Sequence, residues 1–407
     1  MKKNKSSGSS KSTASAEMPD DAVADNLIEL AIDLREADAY ATLPDDLKKK
    51  KSDFEKIIRK CLRQKKDSAL NEALDRTYEE DGYAFDLLKA NLEELSGTIV
   101  IRRDEGQDIE VNAFVVPMFV HTVGGLRIEQ CFQDEEAFER LRDSFQKGQL
   151  ESKKATVVLV SHAFHLNEID RISYSQLHEM VHEAYDSVTR KKATAAPAIA
   201  RSMSGWPANE FAPDDSAVEL RFLLGFAVKT LDDPFYKVPE KEAAADRYFE
   251  TRAQHFRQWA ADNASLVKRC LVTDGREVEI DFLYQDLFYG GKATALSEYY
   301  MLQMMSELHQ ALDEHGVSPD AAKAVIGPTD VDDGMVLRVN LYSEADGALI
   351  VSSDKPIAVA RDLQTEADDV HDALATLGVR SLSLAMRFDT DGQPVDVRPY
   401  TSQAGKD

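Results

Sequence analysis

Cysteine is scarce in this chain, with three in 407 residues (Cys61, Cys131 and Cys270) and no C-x-x-C pair among them. That spacing excludes a disulfide framework and a thiolate zinc site, so the three are expected to be reduced and structural. Long apolar runs are missing as well. No stretch of about 18 apolar residues is available to cross a bilayer, and the opening MKKNKSSGSS lacks the apolar segment of a secretory signal. A cytoplasmic protein with no membrane partner is the expectation. Positive charge is in deficit: 73 Asp and Glu against 49 Lys and Arg give a net charge of -24. Such a body repels nucleic acid and anionic membranes, and stays soluble.

One segment reverses that sign. Residues 48–66, KKKKSDFEKIIRKCLRQKK, place Lys48, Lys49, Lys50, Lys51, Lys56, Arg59, Lys60 and Arg63 on a single helix-forming run. The ordinary reading is a solvated face paired with acidic neighbours. The functional reading is a contact site for an acidic protein or for phosphate.

An apolar content of 43% is ordinary for a globular protein, and the length suits two or three domains. Residues 1–21, dominated by Ser, Lys and Gly, are expected to be a disordered tail, and 401–407 likewise. From 22 to 96 the apolar spacing is helical throughout, punctuated at Pro44 and Gly82, which predicts a small domain of about four helices. At Gly97 the period changes. TIVIRR and IEVNAFVVPMFVHTV read as strands, DEEAFERLRDSFQKG as a helix and ATVVLVSHAF as a strand, which makes residues 97–192 a first α+β unit. The Pro- and Ala-rich stretch 193–215 reads as a linker, and 216–400 as a second α+β unit. The strand-strand-helix-strand order of 98–160 recurs in 335–388. The fold class is therefore α+β: a small helical domain followed by two related, ferredoxin-like units.

One motif in the chain reads openly as chemistry. His178-Glu179-Met180-Val181-His182 spells H-E-x-x-H, two imidazoles one helical turn apart with a carboxylate between them to take a proton from metal-bound water. His162 and His165 lie just upstream, so four of the nine histidines fall within 21 residues and could contribute to a zinc site. Glu210, in NEFAPDD, resembles the third ligand of thermolysin-like zinc proteases, and Glu219 is a second candidate. Against this, Glu183 and a following RKK put charge where such helices are usually uncharged. At about 100° per residue, Tyr174, Leu177, Val181, Ala184, Tyr185 and Val188 form the apolar face and the two histidines flank it. An amphipathic helix without metal is the expected outcome, with no cofactor, and zinc is the alternative.

Three weaker signals read as structure. FYGGKAT lacks the Walker spacing and is expected to be a turn before a helix, and DTDGQ lacks the distal calcium ligand and is expected to be a hairpin turn. The aromatic and Met cluster of 282–305 fits core packing better than a ligand groove.

The pieces NAFVVPMFV, TVVLVSHAFHLNEIDRISYSQLHEMVHEA, AVELRFLLGFAV, FRQWAADN and EYYMLQMMSELHQALDEHGVSPDAAKAVIG resemble an uncharacterised betaproteobacterial family known only as a domain of unknown function. That resemblance implies a bacterial protein, and it carries no activity, cofactor or partner. The expected function is non-catalytic, scaffolding or regulatory through a protein partner. A zinc-dependent hydrolase centred on His178, Glu179 and His182 is the alternative, and nucleic-acid contact through 48–66 a second one. Oligomeric state is not legible.

Overall fold

The structure is a computed structural model that describes residues 19–35, 37, 42–104, 106–122, 134–148, 150, 152, 154–190, 218–271, 277–331, 334–357 and 363–400. Glu210, Cys131, residues 1–18, residues 401–407 and the expected linker lie outside those residues, whereas Asp20 and Asp21 of the expected tail belong to the first helix. The chain forms two compact units, a smaller one of residues up to 99 with 172–183 and a larger one of 100–171 and 184 onward. Helices and sheets are both present, so the fold is α+β. No helix among the described residues is long and apolar enough to cross a membrane.

The smaller unit is helical. It contains α1 (Asp20–Leu34), α2 (Asp45–Gln64), α3 (Asp67–Glu80) and α4 (Gly82–Gly97), joined by the first half of α7 (Tyr174–Arg190). Pro44 stands at the N-cap of α2, where its missing N–H is no loss. Lys65 ends α2 in the left-handed region (φ 58°), so that the Lys66 N–H closes on the Cys61 carbonyl at 3.0 Å. Asp81 caps α4 by accepting from the Tyr83 and Ala84 N–H groups, each at 3.1 Å. One apolar stripe per helix makes the core, including Leu27, Phe54, Ile58, Leu70, Leu88 and Leu92.

In the larger unit the first sheet orders β1 (Thr98–Ile101), β2 (Ile109–Thr122), β4 (Val218–Thr230) and β3 (Thr156–His165), with β5 (Val278–Phe282) and β6 (Asp286–Leu287) also on β2. The β2–β4, β4–β3, β2–β5 and β2–β6 pairs are antiparallel. The chain runs β2–α5–β3 and then β4–α8–β5, with α5 (Glu135–Lys147) and α8 (Glu242–Cys270) packed together over one core. Phe145 sits between Phe114 (ring centroids 5.5 Å apart) and Trp259 (5.0 Å), and the indole donates to Ser144 Oγ at 2.8 Å. Gly225 of β4 lies under the Phe114 ring. A Cβ there would stand 2.8 Å from two ring carbons and closer to a third.

Along the chain, the expected division at 193–215 falls between β3 and β4, which pair within one sheet. β4, beyond that stretch, inserts between β2 and β3, a central position that buries both of its faces, the Leu220, Phe222, Leu224 and Phe226 face and the one that carries Glu219, Arg221 and Lys229.

The second sheet orders β13 (Arg398–Pro399), β10 (Ser381–Leu384), β7 (Ala322–Val331), β8 (Gly334–Ser343) and β9 (Leu349–Pro356). α9 (Phe288–His315) and α10 (Leu363–Leu377) cover one face, burying Met304, Leu308, Ala324, Ile326, Leu341 and Val370. The repeated strand-strand-helix-strand order is present as β1-β2-α5-β3 and β8-β9-α10-β10, but the pairings differ. β3 runs antiparallel to β4, and β10 runs parallel to β7.

The weak motifs resolve into structure. FYGGKAT is the first turns of α9, where a Cβ on Gly291 would meet Val115 of β2 at 2.6 Å. DTDGQ closes the hairpin between β11 (Arg387–Phe388) and β12 (Pro394–Val395), with Asp389 Oδ1 accepting from the Asp391 and Gln393 N–H groups. The 282–305 cluster is divided. Phe282 and Tyr284 pack with Trp259 and Phe256, whereas Met301, Met304 and Met305 pack on the second sheet.

Candidate functional site

The H-E-x-x-H residues sit on α7 because a capping box starts the helix one turn earlier. Gln176 N–H donates to Ser173 Oγ at 3.2 Å while Ser173 N–H donates to Gln176 Oε1 at 2.9 Å. Asp67 reinforces that end, accepting from Ser173 Oγ (2.9 Å) and Ser175 N–H (3.0 Å). His178 follows and is 6% exposed. Its Nδ1 faces the Leu95 carbonyl at 3.1 Å, and since that oxygen only accepts, Nδ1 carries the proton and Nε2 the lone pair. Burial, then the neighbouring His182, hold its pKa down to about 4, and Arg59 and Arg63 push the same way.

That tautomer is the one a metal-bound histidine adopts. The rest of the motif is arranged otherwise. His182 stands edge-to-face with His178, centroids 4.7 Å apart and planes at 79°. The Glu179 carboxylate stands 2.8 Å from Lys65 Nζ, so the residue nominated as general base forms a partly exposed ion pair. Among the described residues no three His, Cys, Asp or Glu side chains converge as a metal-holding group.

His162 and His165 belong to the larger unit, and His178 and His182 to the smaller one. His162 Nε2 contacts both oxygens of Glu168, at 3.1 and 3.2 Å, with both residues buried. His165 caps α6 (Leu166–Ile169), its Nδ1 accepting from Asn167 N–H at 3.2 Å, and burial, then Arg221, lower its pKa. Glu219, the alternative third ligand, is buried and accepts from Arg221 Nε at 2.8 Å, while Arg221 also donates to the Ala163 carbonyl at 3.1 Å. These groups form a buried ion network across β3 and β4.

Sequence reading missed this network, together with the buried pairs Lys229–Glu110 and Lys355–Glu366. It also missed Arg252, which is ringed by Phe235, Tyr236, Tyr248 and Tyr284 at 4.6–5.6 Å. The available signal was charge inside an apolar strand, as in ELRFLLGFAVK.

The basic face of α2 is presented as a surface. Phe54, Ile58, Cys61 and Leu62 turn inward. Lys49, Lys56, Lys60 and Arg63 are exposed and, at about 100° per residue, fall within about 60° of one another. Some neighbours have local partners: Lys48 with Asp45 (2.9 Å), Lys50 with Asp33 (2.7 Å), Lys56 with Asp53 (3.0 Å) and Arg59 with Glu55 (3.6 Å). Arg63 Nε donates to the Arg59 carbonyl at 3.1 Å. Lys49, Lys51 and Lys60 have no ion pair among the described residues.

A family model described as "Protein of unknown function (DUF2863)" matches residues 11–346, and the chain belongs to that family. The resemblance to a family of unknown function is thereby borne out. No curated protein and no solved structure matches the chain.

Proposed function

We propose that the protein acts by binding, with the exposed basic face of α2 as the contact surface for an acidic protein partner. The observation behind this reading is a stripe of Lys49, Lys56, Lys60 and Arg63 kept exposed on a chain of net charge -24. In such a chain, carboxylates are plentiful enough to cover every surface cation. Lys49, Lys51 and Lys60 nevertheless go without an ion pair among the described residues.

The pairs that do exist on α2 are exposed, and such pairs contribute roughly 0–1 kcal/mol each. A partner's carboxylates can therefore replace them at small cost. Complementary charge would also steer encounter. The same excess of acid elsewhere in the chain opposes a duplex nucleic acid, whose charge is continuous along its length. A hydrolytic reading has less behind it, since Glu179 is held by Lys65.

The test is cross-linking and capture at native expression, with wild type beside Lys49→Glu, Lys56→Glu, Lys60→Glu, Arg63→Glu in one chain. Loss of a nuclease-resistant protein partner in the variant, and weakening of capture by salt in wild type, is the expected result. Equal recovery of the same partners by both chains would remove the reading.

A further inference from the structure

The second sheet has a helix-covered face and an opposite face, and the opposite face carries unused chemistry. Side-chain alternation along β7 and β8 sends Ala324, Ile326, Val339 and Leu341 to the helices, and Lys323, Val325 and Tyr342 to the other side. Lys323 and Tyr342 are direct cross-strand partners. Two hydrogen-bonded walls rise beside them. One is the turn after β8, closed by Ser343 N–H on the Ala348 carbonyl and Gly347 N–H on the Ser343 carbonyl, both 2.9 Å. The other is the β11–β12 hairpin, tied to the sheet where Asn340 Nδ2 donates to the Gly392 carbonyl at 3.3 Å. Between them lies a cavity of about 640 Å³, a size ordinary for small-molecule sites.

Its lining has three kinds of group. Lys323 and Glu344 carry opposite charges, and neither has an ion pair among the described residues, with the other or with anything else. The Tyr342 hydroxyl accepts from Asn340 Nδ2 at 3.0 Å, which leaves its own proton to donate. Val325, Pro394 and Val397 are apolar, and Val397 is 42% exposed.

We infer that this cavity binds a small zwitterion of the α-amino-acid class with an apolar side chain. A carboxylate meets Lys323 and the Tyr342 O–H, and an ammonium meets Glu344. The side chain covers Pro394 and Val397, above the buried Val325. Each charge then gains a charge-assisted hydrogen bond that the chain leaves unmade. A singly charged ligand would satisfy one of the two ions and leave its partner as it was. The site is independent of α2, so this inference and the binding proposal fail separately.

The experiment is calorimetric titration of the full chain with L-leucine, N-acetyl-L-leucine, which lacks the ammonium, and L-leucinamide, which lacks the carboxylate. The expected result is saturable leucine binding at one per chain, with both analogues about tenfold weaker or worse. Lys323→Met and Glu344→Gln remove charges with no ion pair among the described residues, so both should melt as wild type does while losing leucine binding by about tenfold. Absence of saturable leucine binding, equal binding of either analogue, or leucine binding unchanged in both folded variants would overturn the inference.

Discussion

His178 provides a sharp test of how the H-E-x-x-H helix is built. The perturbation is acid, read in wild type and in His178→Gln. In the folded chain the imidazole is buried with Nδ1 on the Leu95 carbonyl, and its pKa is about 4. In the unfolded chain it is near 6.5. Between those values the unfolded state binds the proton and the folded state does not, so stability falls as pH falls through that window. Integrating the difference from pH 7 to pH 5 gives a loss on the order of 2 kcal/mol from this group. Glutamine has no titrating ring and retains a donor for Leu95, so the variant should lack this component.

The assay is urea unfolding of both chains at the two pH values, with the helical unit followed by far-UV signal. The double difference isolates His178 from every other titrating group. Long-range proton–nitrogen NMR then reads the tautomer directly, and Nδ1–H is expected. Equal loss in both chains, within about 0.5 kcal/mol, or an imidazole titrating above pH 6, would refute the assigned burial.

Four further outcomes follow from the geometry. Protein purified without chelator or tag should carry no near-stoichiometric zinc by elemental mass spectrometry, and His178→Ala, His182→Ala should match it, because no three His, Cys, Asp or Glu side chains converge on that pair among the described residues. Gly225→Ala should destabilise the larger unit by about 1–3 kcal/mol in urea, with much of the loss restored in the Phe114→Leu background that removes the opposing ring. Lys355→Met should cost about 3–5 kcal/mol by removing the buried cation paired with Glu366, whereas Lys355→Met, Glu366→Leu should recover most of it, since an apolar pair needs no partner charge. Ser173→Ala should lower stability by about 1 kcal/mol through loss of the α7 cap, read as a shifted midpoint with an unchanged slope.

What could be read in the sequence followed how local the cause was. Pro44, Gly82 and the 3.6-residue spacing act within a few residues, and the helical domain follows them. The DTDGQ turn is equally local. The placement of β4 is a long-range choice. Its run of residues buried on both faces demanded a central position, but no periodicity names which strands flank it. The same limit hid the buried ions. Glu219, Arg221 and Lys229 look like surface charges breaking an apolar strand until β3 brings Ala163 against Arg221, and β2 brings Glu110 against Lys229. The opening motif shows the converse limit. H-E-x-x-H is a local pattern whose chemistry depends on groups distant in sequence, and here the Leu95 carbonyl faces His178 Nδ1 and the Lys65 ammonium stands beside Glu179. The exposed ions pose the opposite problem, because a charge near others in sequence can remain unpaired in space. Lys60 and Lys323 are such residues in two different units: among the described residues neither has an ion pair, and no motif in the sequence singled that out.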